Sequence, residues 1–259
     1  MEIEDLIRFG VLYFIGATLV TAALAKVFVG MGFKENTKAG SAESIVIAYN
    51  LVVLMTNIYM AIEGVNGWWF SPVPADKLFG EFQPGPFLKT LQVVYQFWNC
   101  FACLAMTQYR TWDAILHHTL TGTLSYFFLV TNHVDYFCVF FGGLVEISNL
   151  PLCIVDICKN SPTFRQYFPT LNQICRYLFA VAFILIRNIC WPIVCYEYWV
   201  LSIEYLTSKV TDDFMFSVSL FGLTVNVALT GLQFFWGYKI ASMIKKVLVG
   251  GGKAKNKSA

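Results

Sequence analysis

Residues 112–130 read WDAILHHTLTGTLSYFFLV. From Ala114 to Val130 the stretch is apolar and close to the length that crosses the ~30 Å hydrocarbon core of a bilayer, yet it holds two adjacent histidines. Working outward, six more apolar runs obey the same length rule: Phe9–Phe33, Ile45–Ile62, Phe87–Met106, Tyr136–Ile157, Leu171–Trp191 and Phe214–Ile240. Pro192–Leu206 is apolar and aromatic, and either extends the sixth run past a kink at Pro192 or lies in the membrane interface. The expected fold is therefore an all-α polytopic membrane protein with about seven transmembrane helices.

Composition agrees. Of 259 residues, 57% are hydrophobic and 13% charged, against ~45–50% and ~25% in soluble domains. This excludes a disordered chain and a water-soluble globule. Seven spans consume ~140 residues, which leaves loops but no sizeable soluble domain. Glu2, Glu4 and Asp5 precede the first run, where a cleavable signal needs basic residues. The eight cysteines lie mostly inside apolar runs, including the Cys100/Cys103 pair, and read as small hydrophobes rather than a disulfide framework. No phosphate-binding loop or nucleic-acid patch is present.

Lysine and arginine placement sets the expected orientation. Eleven fall on one side (Lys34, Lys38, Arg110, Lys159, Arg165, Lys239, Lys245, Lys246, Lys253, Lys255, Lys257) and four on the other (Arg8, Lys77, Lys89, Lys209). The C-terminus is expected in the cytosol and the N-terminus in a lumen or outside. The end of the chain, Lys255-Asn256-Lys257-Ser258-Ala259, matches the K-x-K-x-x pattern of endoplasmic-reticulum retrieval and equally suits contact with anionic lipid.

Polar groups in hydrocarbon are costly and call for a partner or a function. His117, His118 and His133 all fall in the fourth run or at its lumenal end. Asp113 precedes His117 by four residues and shares its helix face, where a carboxylate orients an imidazole. Thr121 and Ser125 continue that face. Glu146 sits ~15 Å into the fifth run at ~1.5 Å per residue, with Asn149 and Cys153 after it and Asp156 near the cytosolic end. Further polar stripes are Gln92, Gln96 and Asn99 in the third run, Asn226, Thr230 and Gln233 in the seventh, and Asn50 and Asn57 in the second. Each alone reads as interhelical hydrogen bonding worth ~0.6 kcal/mol. Converging with the histidines and Glu146, they describe a polar cavity open to the cytosol. Arg187 falls near the lumenal end of the sixth run, where it snorkels or pairs with Asp135 or Glu197.

Other seven-span readings fail. The last run has no lysine deep enough for retinal. His133 lies ~23 Å along the helix from the pair, too far to share a haem. His117 and Asp113 lack a third zinc ligand, so no metal is expected.

The text Trp112-Asp113-Ala114-Ile115-Leu116-His117-His118, then Thr121, Ser125-Tyr126 and Asn132, resembles the core of the TLC (TRAM-LAG-CLN homology) domain. Glu146-Ile147-Ser148-Asn149, Phe183-Ile184-Leu185-Ile186-Arg187 and Leu232-Gln233-Phe234-Phe235-Trp236 look like segments of its TLC-domain-containing branch. The His-Asp element of the ceramide synthase branch is absent; Leu144-Val145-Glu146-Ile147-Ser148 stands there. The resemblance implies a barrel-like bundle of six helices over residues 42–248. Residues 1–41 then form a first helix and loop outside it, and 249–259 a disordered basic cytosolic tail. It also implies a lipid-linked role in the endoplasmic reticulum or a related membrane.

Two functions follow. The first is a lipid-binding protein of membrane lipid metabolism or homeostasis, holding a membrane lipid or fatty-acyl chain, with Gln96, Asn99, Thr121, Ser125, Asn149, Arg187 and Gln233 gripping the ligand. The alternative is an acyltransferase that needs no cofactor and takes acyl-CoA as substrate. There His117 or His118 acts as base or acyl acceptor, Asp113 orients it, and Glu146 binds or deprotonates the acceptor. Oligomeric state is left open, a homo-oligomer included.

Overall fold

A computed structural model describes residues 3–33, 42–208 and 212–255, with side chains to 246. Lys34, Lys38, Lys209 and the last four residues of the retrieval-like motif lie outside the described residues. Every described element is helical. They are α1 (Ile3–Gly30), α2 (Glu43–Phe70), α3 (Gly85–Ala105), α4 (Trp112–Val130), α5 (Asp135–Phe141), a 3₁₀ turn at Leu144–Ser148, α6 (Asn149–Asn160), α7 (Pro162–Tyr167), α8 (Pro169–Phe183), a π-turn at Ile184–Cys190, α9 (Trp191–Thr207) and α10 (Asp213–Lys255).

Five stretches are long and apolar enough to cross a membrane: 4–30, 43–70, 135–160, 169–207 and 213–246. Helices α3 and α4, of 21 and 19 residues, are diluted by Lys89, the glutamines and the histidines and stand among them. The packing order closes a ring: α2 lies on α6, α6 on α8, the π-turn on α10, α10 on α4, α4 along α3, and α3 returns to α2. Helix α1 packs outside, against α2 and α3. This is an all-α polytopic membrane fold with a six-membered barrel-like bundle and one peripheral helix.

One element departs from the sequence reading, and two others extend spans it marked out. The fifth span is not one helix: it breaks at Gly142-Gly143 and puts Glu146 in the 3₁₀ turn. The cause is a close crossing with α2. A Cβ on Gly64 would lie 2.2 Å from the Leu144 nitrogen, and one on Gly143 would lie 2.6 Å from the Gly64 Cα. Irregular backbone at membrane depth is tolerated where protein covers it, and Leu144, Val145, Glu146 and Ser148 are buried. Pro192–Leu206 does extend the sixth span. The π-turn before it accommodates the N–H that Pro192 lacks. Helix α10 runs on to Lys255; the last four residues of the expected disordered tail lie outside the described residues.

Gly64→Ala should therefore lower stability by about 1–3 kcal/mol, because the added methyl meets backbone rather than a movable side chain. Gly16→Ala on α1, with nothing within 4 Å of the new Cβ, should be neutral or slightly stabilising. Thermal unfolding in detergent reads both. Equal behaviour of the two variants would contradict the crossing.

The end of the bundle opposite the cluster of Lys159, Lys239 and Asp113 is locked by ions. Lys89 Nζ lies 2.5 Å from Asp135 Oδ1, both side chains almost fully buried, and also donates to the carbonyls of Phe128 at 2.9 Å and His133 at 3.3 Å. Lys89 is thus a core residue, not the interfacial lysine that its place near the start of the third run suggests. Lys77 pairs with Glu197. His133 stacks on Phe79 at 4.6 Å, far from the paired histidines, and burial pushes its imidazole down to about 4.

Candidate functional site

A cavity of about 510 Å³ lies inside the ring at the end where Lys159 and Lys239 emerge. Ligand pockets typically occupy ~300–1,000 Å³. Helices α2 and α3 contribute Tyr49, Asn50, Tyr95 and Asn99; α4 contributes Asp113, His117 and His118; α6 contributes Asn149 and Asp156; Arg187 and Trp236 close the far wall. Side chains from spans far apart in sequence thus line one polar space within an apolar bundle.

The two imidazoles sit 5.3 Å apart, ring to ring. They diverge, as neighbours on a helix must. His118 turns to α3, its Nδ1 2.6 Å from Gln96 Oε1. His117 turns to α10, its ring edge-on to Trp236 at 5.4 Å, and its Nδ1 has no partner among the described residues. Asp113 also faces α10. Its Oδ2 accepts from Trp236 Nε1 at 2.9 Å and from Lys239 at 3.4 Å. The carboxylate therefore anchors α4 to α10 and makes no hydrogen bond to His117.

Glu146 and His118 are linked by two glutamines. Gln96 Nε2 donates to Gln92 Oε1 at 2.7 Å. Gln92 Nε2 donates to the Gly142 carbonyl at 2.9 Å and to Glu146 Oε1 at 3.3 Å. The other Glu146 oxygen accepts from Asn149. Asn99 lies one turn along the same helix, accepting from the Tyr49 hydroxyl at 2.6 Å.

The expected pairing of Arg187 with Asp135 or Glu197 is overturned: those acids hold Lys89 and Lys77. Because the helix continues to Thr207, Arg187 lies mid-span, 4% exposed, inside the π-turn. Its Nε donates to Ser148 Oγ at 2.7 Å, Nη2 to the Val145 carbonyl at 3.2 Å and Nη1 to Gln233 Oε1 at 3.4 Å. Gln233 thus reaches the site through Arg187. Wide turns of this kind interrupt helices at functional positions frequently.

Thr121 and Ser125 do not line this cavity. They border a separate space of about 60 Å³ with Lys89, Gln92, Tyr198 and Asn226. Sequence reasoning missed Tyr49 and Tyr95, since a tyrosine in an apolar run gives no period or charge to notice, and Tyr109, which falls in the connection after the third run. Ser148 was legible only as text beside Glu146. Among the described residues no group of three His, Cys, Asp or Glu is placed to hold a metal ion.

Charged groups stand at the mouth, with amide and imidazole groups within. No curated protein and no solved structure gives a significant match. The family model described as TLC domain matches residues 33–242, a range that runs from before α2 into α10 and holds every group in the cavity named above. The chain belongs to the TLC domain family, and its place is in a membrane.

Proposed function

We propose that this protein holds the polar head of a membrane lipid in the 510 Å³ cavity, with acyl chains running between the helices, and serves membrane lipid metabolism or homeostasis. The observation that carries the reading is the gathering of His117, His118, Asn99, Asn149 and Arg187 around one space inside an apolar bundle. Buried polar side chains are expensive in hydrocarbon. Here several line a cavity large enough for a headgroup, and His117 Nδ1 has no partner among the described residues. Family membership supports the lipid-linked role. The lysine asymmetry supports a lumenal N-terminus and a cytosolic C-terminus, which would open the cavity to the cytosol, and the terminal lysines support the endoplasmic reticulum.

A second reading, acyl transfer from acyl-CoA, is favoured by one observation: both imidazoles line a cavity whose mouth carries Lys159 and Lys239, suited to a phosphate-bearing donor. Against it, the carboxylates are engaged elsewhere, Asp113 on Trp236 and Lys239, and Glu146 on Gln92 and Asn149. Purified protein incubated with labelled acyl-CoA and candidate acceptors separates the two. Lipid binding alone gives co-purifying lipid and no transfer. Transfer abolished in both His117→Ala and His118→Ala would overturn the binding-only reading.

A further inference from the structure

We infer that the chain Glu146–Gln92–Gln96 locks His118 in its Nδ1–H tautomer, so that the cavity receives a bare Nε2 lone pair and selects lipid heads that carry a hydrogen-bond donor, a hydroxyl or a primary ammonium.

The direction of the chain is forced by chemistry. The Gly142 carbonyl can only accept, so the Gln92 atom 2.9 Å from it must be the amide NH₂. The same NH₂ serves Glu146. The other end of Gln92 is then a carbonyl, and the Gln96 atom 2.7 Å from it must be an NH₂. That leaves the Gln96 carbonyl facing His118 Nδ1 at 2.6 Å, and a carbonyl there requires Nδ1 to carry the proton. The assignment follows from one main-chain oxygen and does not depend on how either amide was drawn.

A neutral imidazole has one N–H, and the hydrogen bond at one nitrogen decides which. No carboxylate contacts either imidazole among the described residues, so a second proton would be a buried charge without compensation. The ring therefore offers Nε2 as an acceptor, and His118 borders the cavity. Arg187 borders the same space and spends three of its N–H groups on Ser148, Val145 and Gln233, leaving two of the five a guanidinium carries. The complementary head donates to His118 and accepts from Arg187. A quaternary ammonium head has no proton to donate and leaves Nε2 unsatisfied. Gln92 and Gln96 are positioning residues in this arrangement. The donor requirement rests on the lipid-site reading above; the tautomer does not.

The chain has three histidines, so ¹⁵N-histidine-labelled protein in detergent gives a spectrum simple enough to assign. His118 is expected as Nδ1–H with an unprotonated Nε2. Gln96→Leu should shift it toward Nε2–H, whereas Gln96→Glu, which puts a carboxylate opposite Nδ1, should keep Nδ1 protonated. An Nε2–H ring in the native protein, or a tautomer indifferent to Gln96→Leu, overturns the lock. In parallel, delipidated protein is titrated with phosphatidylethanolamine and phosphatidylcholine of identical chains. About tenfold tighter binding of the ethanolamine lipid is expected, the worth of one good hydrogen bond, and Gln96→Leu should abolish the preference. Equal binding overturns the donor requirement alone. Binding of neither lipid, nor of diacylglycerol, overturns the donor requirement together with the lipid-site reading and leaves the tautomer standing.

Discussion

Lys89→Met is expected to destabilise the protein by about 3–5 kcal/mol, the cost of stranding one member of a buried ion pair. Asp135, its side chain 3% exposed, would lose its cation and keep the Phe82 amide at 3.4 Å as a donor among the described residues. The main-chain carbonyls of Phe128 and His133 would lose the Lys89 donor as well, though Phe128 keeps the His133 N–H at 3.0 Å. Removing both charges, as in Lys89→Met with Asp135→Leu, should return more than half of the loss, because two apolar side chains replace a desolvated pair at modest cost. A double-mutant cycle on chemical unfolding measures this. Strict additivity of the two substitutions would mean that the pair does not hold the α3–α5 end together.

Arg187→Met should cost a similar amount, about 3–5 kcal/mol. The guanidinium joins the 3₁₀ turn at Val145 and Ser148 to α10 at Gln233. Its loss frees the Val145 carbonyl from one donor and leaves the charge of Glu146 without a cation nearby. Arg187→Lys should recover little. An ammonium on a flexible stem cannot reach a hydroxyl, a carbonyl and an amide on two elements at once, as a planar fork does. Lipid retention should fall with both variants, since the same side chain borders the cavity. A stable Arg187→Lys protein with full retention would show that charge alone matters there.

These two cations also mark where the sequence stops being legible. The seven apolar runs could be read because bilayer thickness dictates their length, and the histidine pair and Glu146 stood out because hydrocarbon makes polar groups conspicuous. What hydropathy along the chain cannot show is which distant group meets which. Lys89, near the start of an apolar run, reads as an interfacial lysine until α5 folds Asp135 against it. Arg187 reads as terminal because Trp191 looks like the end of a span, and the continuation to Thr207 makes it central. Asp113 and His117 do share a helix face, but Trp236 and Lys239 on α10 compete for the carboxylate and win. The break at Gly142-Gly143 was invisible for a different reason. Both flanks are apolar, so only the close approach of Gly64 reveals that the backbone must leave the helix there. The Gln92–Gln96 stripe was legible as a stripe; its bridging of His118 to Glu146 is a property of the packed ring.

The most direct test is the count of lipid molecules held per chain after exhaustive detergent washing, by native mass spectrometry, in three proteins. Ala114 borders the cavity, and Ala114→Trp fills it. Leu116 lies two residues on and faces outward, 41% exposed, so Leu116→Trp adds the same bulk to the outer surface. Wild type and Leu116→Trp should each keep about one lipid and Ala114→Trp none. Loss of all lipid from the wild type, or equal retention in all three, would contradict a headgroup site inside the ring.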